Sequence, residues 1–451
     1  MMPMRPVPKR YAWGSSHRLQ AIFPDFAGVD GPLAELWFSG HRQSSSMVLP
    51  EGEGGGIPLD GLVRREPLAM LGERVSSVWG PVLPYLMKVI AVHMPLSLQV
   101  HPVAFEARAG FHREQMRGVP VDSPRRSFKD TVDKYEMVVA LEPFVASVGF
   151  APLPRQIRLL RAVDHPLAGR MADALSGRLD AEDAGLDVFM PIAARAWSLT
   201  QRRVFRAFAT AVTYGESEGA SAGSVNWTSL LRSARASLSA SGSDQRRAPD
   251  RHALAALDNA IAAARAFPGD PCVVCLLMMN AVRLAPGEAV AIAPGTVHAY
   301  IHGLAAEIMT NSDNVLRAGL TVKHRDVPSV LRNVDVMPAP PYRAERRRLG
   351  ADAVAYRPEA LREFSLTLAS AGGFSTPARP RVAICLGGEA YLRSEAGRTV
   401  VLHGGEAVFV PAADGQMRVA VEAGPPVAGG GGTVPETQYA GGGLLLASTG
   451  I

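Results

Sequence analysis

The text of this chain changes character twice. From the amino terminus to about residue 150 the apolar runs are short and broken by Gly, Pro and Ser, as in AELWFSG, YLMKVIAV, LSLQVHP and EMVVALEPFVASVGF. Short runs bounded by turn residues read as strands. From Leu153 to about Phe267 the text becomes rich in Ala, Leu and Arg, as in RQIRLLRAVDHPLAGRMADAL and DRHALAALDNAIAAARAF. There the apolar residues recur three and four apart, the spacing of amphipathic helices. Strand text returns at Cys272 and continues through AVRLAPGEAVAIAPGTVHAYIHG, then resumes from about 360 in FSLTLAS, RVAICLGGEAYL, TVVLHGGEAVFVPA and LLLAS. The helical block therefore reads as an insertion within one β unit.

APGEAVAIAPGTVH and HGGEAVFVPAADG share Gly-Glu-Ala-Val, an apolar residue and Pro, which suggests a repeated hairpin and two related sandwiches. The expected fold is mainly β, with four segments. These are a catalytic β-sandwich over 1–151 and 268–344, a helical insert over 152–267, and a second sandwich over 345–451. SASGSDQRRAPD at 239–250 reads as a polar breaker between helices, and GGGGT at 429–433 as a flexible loop.

Composition narrows the class. Hydrophobic residues make up 47% and charged residues 20% of the 451, a globular balance that excludes a disordered chain, a coiled coil or a collagen-like fibre. No window reaches about 18 uninterrupted apolar residues, so no membrane-spanning helix is expected. MMPMRPVPKRYAWGSS has basic residues without an apolar run behind them, a poor signal peptide, and the expected location is the cytoplasm. Three cysteines, an odd number, fit a reducing compartment.

Lys and Arg number 47 against 42 acidic residues, but the excess is spread along the chain, with only short clusters at Arg346–Arg348 and Arg246–Arg247. Solvated arginines account for it, and no nucleic-acid face is expected. Only five lysines occur: Lys9, Lys88, Lys129, Lys134 and Lys323. In a chain that otherwise uses Arg, each marks a place where a compact ammonium is needed. Cys272 and Cys275 form a C-x-x-C inside an apolar, β-branched run that reads as a buried strand, so core packing is expected there rather than metal binding.

Strand parity gathers the polar residues. Gln99 and His101 are two apart, as are Lys134 and Glu136, and His298, Tyr300 and His302 follow the same spacing, so each set leaves one face of its strand. Imidazole, carboxylate and amide oxygen are all ligands for a divalent ion, and two His with one carboxylate is a catalytic zinc set.

The stretches AELWFSGHRQSSS, LPYLMKVIAVHMPLSLQVHP, FKDTVDKYEMVVALEPFVASVGF and PGTVHAYIHGLAAEIMTNSDNVLRAGLTVKHRDVP resemble, in order, the type I mannose-6-phosphate isomerases, zinc enzymes of the cupin superfamily. The resemblance covers roughly residues 10–150 and 270–335, and NSDNVLRAGLT and LSLQVHP are its most specific parts. It implies two cupin-like jelly rolls and one Zn²⁺ held by Gln99, His101, Glu136 and His298. It also implies a monomer acting on a sugar phosphate. Arg317 resembles the family's active-site arginine, Lys88 and Lys134 match lysines of its site, and Asp313, with Glu307 behind it, is the candidate for proton transfer. Asp133 departs from the family's usual His at that point, and His93 and His302 are not assigned as ligands. A non-catalytic sugar-phosphate sensor or an iron-dependent dioxygenase would use a similar sandwich. The amide ligand argues against the oxygenase, and the complete set of cations argues against the sensor.

Overall fold

A computed structural model describes residues 1–50, 55–178, 190–217, 225–240, 250–359, 361–422, 424 and 443–451. The stretch at 429–433, Arg246, Arg247 and most of 239–250 lie outside these residues.

The expectation of a mainly β protein built from jelly rolls is wrong. Helix and strand are nearly balanced, at 32% and 31%, and the sheets are open. Part of the helix lies where only strands were expected, in Leu59–Arg65, Pro67–Leu71, Glu73–Trp79 and Ala104–Met116. The buried residues Leu59, Leu62 and Val63, then Met70, Leu71 and Val75, sit at helical spacing. Pro67 opens one of these helices and Gly72 separates two of them, so residues taken as strand punctuation are helix boundaries. Nor does the ten-stranded sheet close: its main path runs from Met279–Leu284 to Val7–Lys9, and these two edges do not pair.

The long strand His298–Thr310 organises that sheet. Its first half pairs with Phe144–Phe150 and Leu98–Val100, and its second half with Tyr85–Val92 and Glu136–Ala140. The partner change falls near Gly303, at φ 130°, where an added Cβ would sit 2.6 Å from the Pro143 carbonyl oxygen. Register then sets polar residues opposite one another, His298 facing Gln99 and Glu307 facing Lys88, and brings Glu136 in beside the same strand opposite Met309. Leu98–Val100 also pairs with Leu316–Gly319, which places Arg317 across from Gln99.

One face of this sheet shares a core with a nine-stranded sheet formed by six C-terminal strands together with Met2–Arg5, Met47–Val48 and Ile57–Pro58. The Tyr85 hydroxyl crosses to that sheet and donates to the Pro380 and Ala447 carbonyls. The helices between Leu153 and Ala266 bury Phe205, Phe208, Trp227 and Leu257 in one core with Leu98, Val100, Leu316 and Ala318. Each such side chain contributes about 1.5–3 kcal/mol by leaving water, so the strands that carry the site are backed by this core.

The segment Pro271–Met278 is a 3-10 helix, not the expected strand. Gly269 supplies a positive φ, Asp270 accepts the Cys272 N–H, and Pro271 fills the first helical position, all of which start a helix rather than a strand. Residues three apart eclipse in this helix type, so Cys272 and Cys275 share a face instead of opposing one another. Both are buried free thiols, as is Cys385.

Candidate metal centre

Three strands and one loop converge on a cavity of about 270 Å³. Gln99 and Glu136 line it, and Glu136 belongs with the buried His101 and His298 to a group whose donor atoms all fall within 4.8 Å of one another. This is the only such group of His, Cys, Asp and Glu among the described residues. His101 and His298 are fully buried and Glu136 is 2% exposed. A larger cavity of about 500 Å³ near Arg283 and Pro338–Pro341 lies away from this cluster.

Hydrogen bonds on the outer side of each ring fix its tautomer. His101 Nδ1 donates to the Asn314 carbonyl at 2.9 Å, and His298 Nδ1 donates to the Thr296 carbonyl at 2.9 Å. Each Nε2 is then a lone pair turned inward. His101 Nε2 is 3.0 Å from Glu136 Oε1, yet it is buried and makes no hydrogen bond. His298 Nε2 is 3.5 Å from Glu136 Oε2. Lone pairs facing a carboxylate at these distances repel unless a cation lies between them, so the residues fit a metal ion. The Gln99 amide lies 3.0 Å from His298 Nε2, and a half-turn of the amide presents its oxygen there.

Electrostatics agree. Burial pushes the His101 imidazole down to about 3, against the pull of Glu136. Burial likewise lowers His298. Both rings are thus neutral, as ligands must be. Burial alone would raise the Glu136 carboxyl, but His101 and Lys134 outweigh it and leave it well below its ordinary value. Lys134 Nζ is 3.0 Å from Glu136 Oε1, and the Tyr300 hydroxyl donates to Glu136 Oε2 at 3.2 Å and to Glu307 Oε1 at 2.8 Å.

The wall is built of further charges. Lys88 is buried, not snorkelling, with Nζ 2.9 Å from Glu307 Oε2 and 3.9 Å from Glu35 Oε1. Burial lowers its affinity for the proton, but the two carboxylates win and hold it above its ordinary value. Asp313 Oδ2 accepts from Lys129 Nζ at 2.8 Å. Burial would raise the Asp313 carboxyl, but Lys129 and Lys134 bring it down to about 2. Arg317 lines the cavity, and its guanidinium makes no hydrogen bond or ion pair among the described residues. Burial lowers it somewhat, against Asp313.

Asn314 explains the polar run NSDN. Its side chain accepts from Lys129 N at 2.7 Å and Asp130 N at 3.1 Å and donates to the Val132 carbonyl at 2.9 Å, while its carbonyl holds His101. His302 does not follow the parity expected of it. A bulge between Tyr300 and His302 breaks the alternation, leaving His302 exposed and facing Arg18 and His93. Asp133 and His93 do not line the cavity.

Several wall residues went unassigned from sequence, among them Tyr11, Trp13, Glu35, Trp37 and Lys323. The scarcity of lysine was the available signal. Lys88, Lys134 and Lys323 line the cavity, Lys129 pairs with the lining residue Asp313, and Lys9 lies 4.5 Å above the ring of the lining residue Trp37.

Comparison with known proteins places these features. Residues 1–153 match the model for the catalytic domain of phosphomannose isomerase type I. The chain is 31% identical over 411 residues to the mannose-6-phosphate isomerase of Salmonella typhimurium, covering 90% of this chain and 93% of the relative. It is 32% identical over 326 residues to that of Escherichia coli, covering 72% of each. Among solved structures, the Salmonella typhimurium mannose 6-phosphate isomerase bound to fructose 6-phosphate and zinc aligns with a TM-score of 0.73 at 27% identity over the whole of both chains. A zinc-bound mannose 6-phosphate isomerase aligns with the same TM-score at 28% identity, over 100% of this chain and 99% of that one. With a 31% identical relative spanned almost end to end, the chain belongs to the type I mannose-6-phosphate isomerase family.

Proposed function

We propose that the chain interconverts mannose 6-phosphate and fructose 6-phosphate at one zinc ion held by Gln99, His101, Glu136 and His298. The observation that carries this reading is the inward-facing, unbonded His101 Nε2 beside the Glu136 carboxylate, in a chain of this family. Zinc bound there supplies a Lewis acid next to the sugar carbonyl. Gln99 is a neutral ligand, so the set carries a single negative charge.

The chain's own residues supply the rest. Isomerisation moves a proton between adjacent carbons, and negative charge develops on an oxygen in the transition state. Arg317 stabilises that oxygen, because its guanidinium is charged at every working pH and lines the cavity without a hydrogen bond or ion pair among the described residues. Asp313 takes the proton from one carbon and returns it to the next. Its carboxylate, held at about 2, stays ionised in the free enzyme and so starts each turnover as an acceptor. Lys134, beside Glu136, donates to a substrate oxygen, and Lys88 pairs with Glu307 and Glu35 in the wall. Lys323, at the rim, suits the phosphate.

A monomeric, cytoplasmic enzyme completes the reading. Three buried free thiols fit a reducing compartment, and no helix among the described residues is long and apolar enough to cross a membrane. Metal analysis with a coupled assay on mannose 6-phosphate tests the whole. The result expected is about one zinc per chain, turnover in both directions, and loss of both zinc and turnover in His101→Ala and His298→Ala. Arg317→Ala is expected to keep its zinc and to lose about a hundred- to a thousand-fold in kcat. Zinc-loaded protein with no turnover would refute the reading in favour of a sugar-phosphate sensor.

A further inference from the structure

One residue of the cavity wall is held in a conformation that its side chain disfavours. Leu320 has a φ of 56°, the only left-handed non-glycine backbone among the described residues. It is fully buried, lines the cavity and directly follows the Leu316–Gly319 strand that carries Arg317. A bulky residue stays in this region only where its surroundings over-determine it.

Asp270 provides the constraint. Its Oδ2 accepts the Leu320 N–H at 2.7 Å, while its Oδ1 accepts the Cys272 N–H at 2.8 Å. The carboxylate thus bridges the start of the Pro271–Met278 helix and the end of the Arg317 strand. Cys272 adds a second contact, its thiol donating to the Ala318 carbonyl at 3.6 Å. Gly319 lies so close that an added Cβ would sit 2.4 Å from the Cys272 sulfur. Regular pairing gives little help here, because the register with Leu98–Val100 shifts between Arg317 and Gly319.

We propose that Asp270 is a positioning residue for Arg317: by holding the left-handed turn at Leu320 it sets where the guanidinium stands in the cavity. Asp270 does not itself line the cavity, so it acts through the strand. The proposal rests on the isomerase reading above. It also gives the helical block a part in the reaction, since Asp270 sits just beyond the Arg251–Ala266 helix.

The test is a double-mutant cycle on the zinc-loaded enzyme. Misplacing a catalytic group by about 1 Å costs up to about a hundred-fold, so Asp270→Ala should lower kcat by about ten- to a hundred-fold with zinc content and KM nearly unchanged. Asp270→Asn keeps an oxygen for the Leu320 N–H and should recover most of the loss. In an Arg317→Ala background, Asp270→Ala should cost almost nothing further, because the group it positions is gone. Losses that multiply would overturn the proposal, since Asp270 would then act independently of Arg317. Should Asp270→Ala fail to fold, Asp270→Asn takes its place in the same cycle. An active wild type with a fully active Asp270→Ala overturns the positioning role alone, whereas an inactive wild type overturns the isomerase reading with it.

Discussion

Lys88→Met is the most informative perturbation of the cavity wall. Methionine keeps most of the side-chain volume and removes the ammonium. In the wild type that ammonium lies 2.9 Å from Glu307 and 3.9 Å from Glu35, and the three side chains are 7%, 4% and 9% exposed, so solvent screens them little. At an effective dielectric of about 20, each attraction is worth roughly 4–6 kcal/mol before desolvation is counted. Removing one partner of such a buried pair costs about 3–5 kcal/mol net, because the remaining charge loses its compensation. Glu35 retains the Trp37 indole N–H at 2.5 Å, and Glu307 retains the Tyr300 hydroxyl. Neither replaces a full positive charge.

The sign of the pH dependence follows from the shifts. Lys88 is raised in the folded state, so its contribution is complete below its ordinary 10.5 and is lost only as the pH rises through the higher folded value. Burial already holds the Glu307 carboxyl above its ordinary value despite Lys88. Without Lys88 it rises further, and the deficit of the variant should shrink as the pH falls and Glu307 takes up a proton. The assay is denaturant unfolding at fixed free zinc for Lys88→Met, Glu307→Gln and the double variant. The double variant should be more stable than the sum of the single losses predicts, since it leaves one fewer orphaned charge. Additive losses, or a Lys88→Met deficit below about 1 kcal/mol, would refute the reasoning.

Other consequences are equally specific. Asn314→Ala removes the side-chain bonds that hold the loop whose carbonyl orients His101, and zinc affinity measured against a competing chelator should fall by about 10–100-fold; unchanged affinity would deny Asn314 that role. The Asp313 carboxyl is lowered to about 2, so its ion pair with Lys129 stabilises fully above the ordinary value of 3.8 and is lost as the pH falls toward 2. Acid unfolding of Asp313→Asn should therefore differ from wild type near neutral pH and converge with it at the acid end. Gly319→Ala forces a methyl to 2.4 Å from Cys272 Cβ and should destabilise by about 1–3 kcal/mol or more, with Cys272 becoming more reactive to thiol reagents; wild-type stability in that variant would contradict the close approach.

Much of the candidate site was legible because its residues stand two apart on strands or just beyond strand ends, His101 following Leu98–Val100 and Lys134 preceding Glu136–Ala140. Gln99 and His101, or Lys134 and Glu136, are two apart in sequence, and their convergence needs only that the strands lie side by side. What parity misses is its own interruption: nothing in HAYIHG announces the bulge that turns His302 outward. The helix at Cys272 was readable in principle, since Gly269, Asp270 and Pro271 together form a start signal, but apolar, β-branched residues outweighed it. The helices over 59–79 failed for a related reason, their Pro and Gly punctuation being shared by strands and helices alike. The pairing of Met2–Arg5 with Ala407–Val410 joins residues some four hundred positions apart, and no local pattern reports a contact of that kind.

The distribution of cations points to a division of labour within the cavity. Five of the chain's 47 cationic side chains are lysine, and all five stand in or beside one wall. Where the task is to compensate a buried carboxylate, as with Glu307, Glu136 and Asp313, the chain uses an ammonium. A point charge on a flexible stem can settle beside one or two oxygens. A planar guanidinium in the same place brings five donors and would leave several unsatisfied. Arg317 is the exception in both respects: it is the arginine of the wall, and it has no protein partner among the described residues. A half-buried guanidinium with no hydrogen-bonded partner costs stability, and Asp313, the neighbouring acid, already pairs with Lys129. The result is a guanidinium whose fork of donors is held open for charge that arises only during the reaction, which is the arrangement that favours the transition state over the bound sugar.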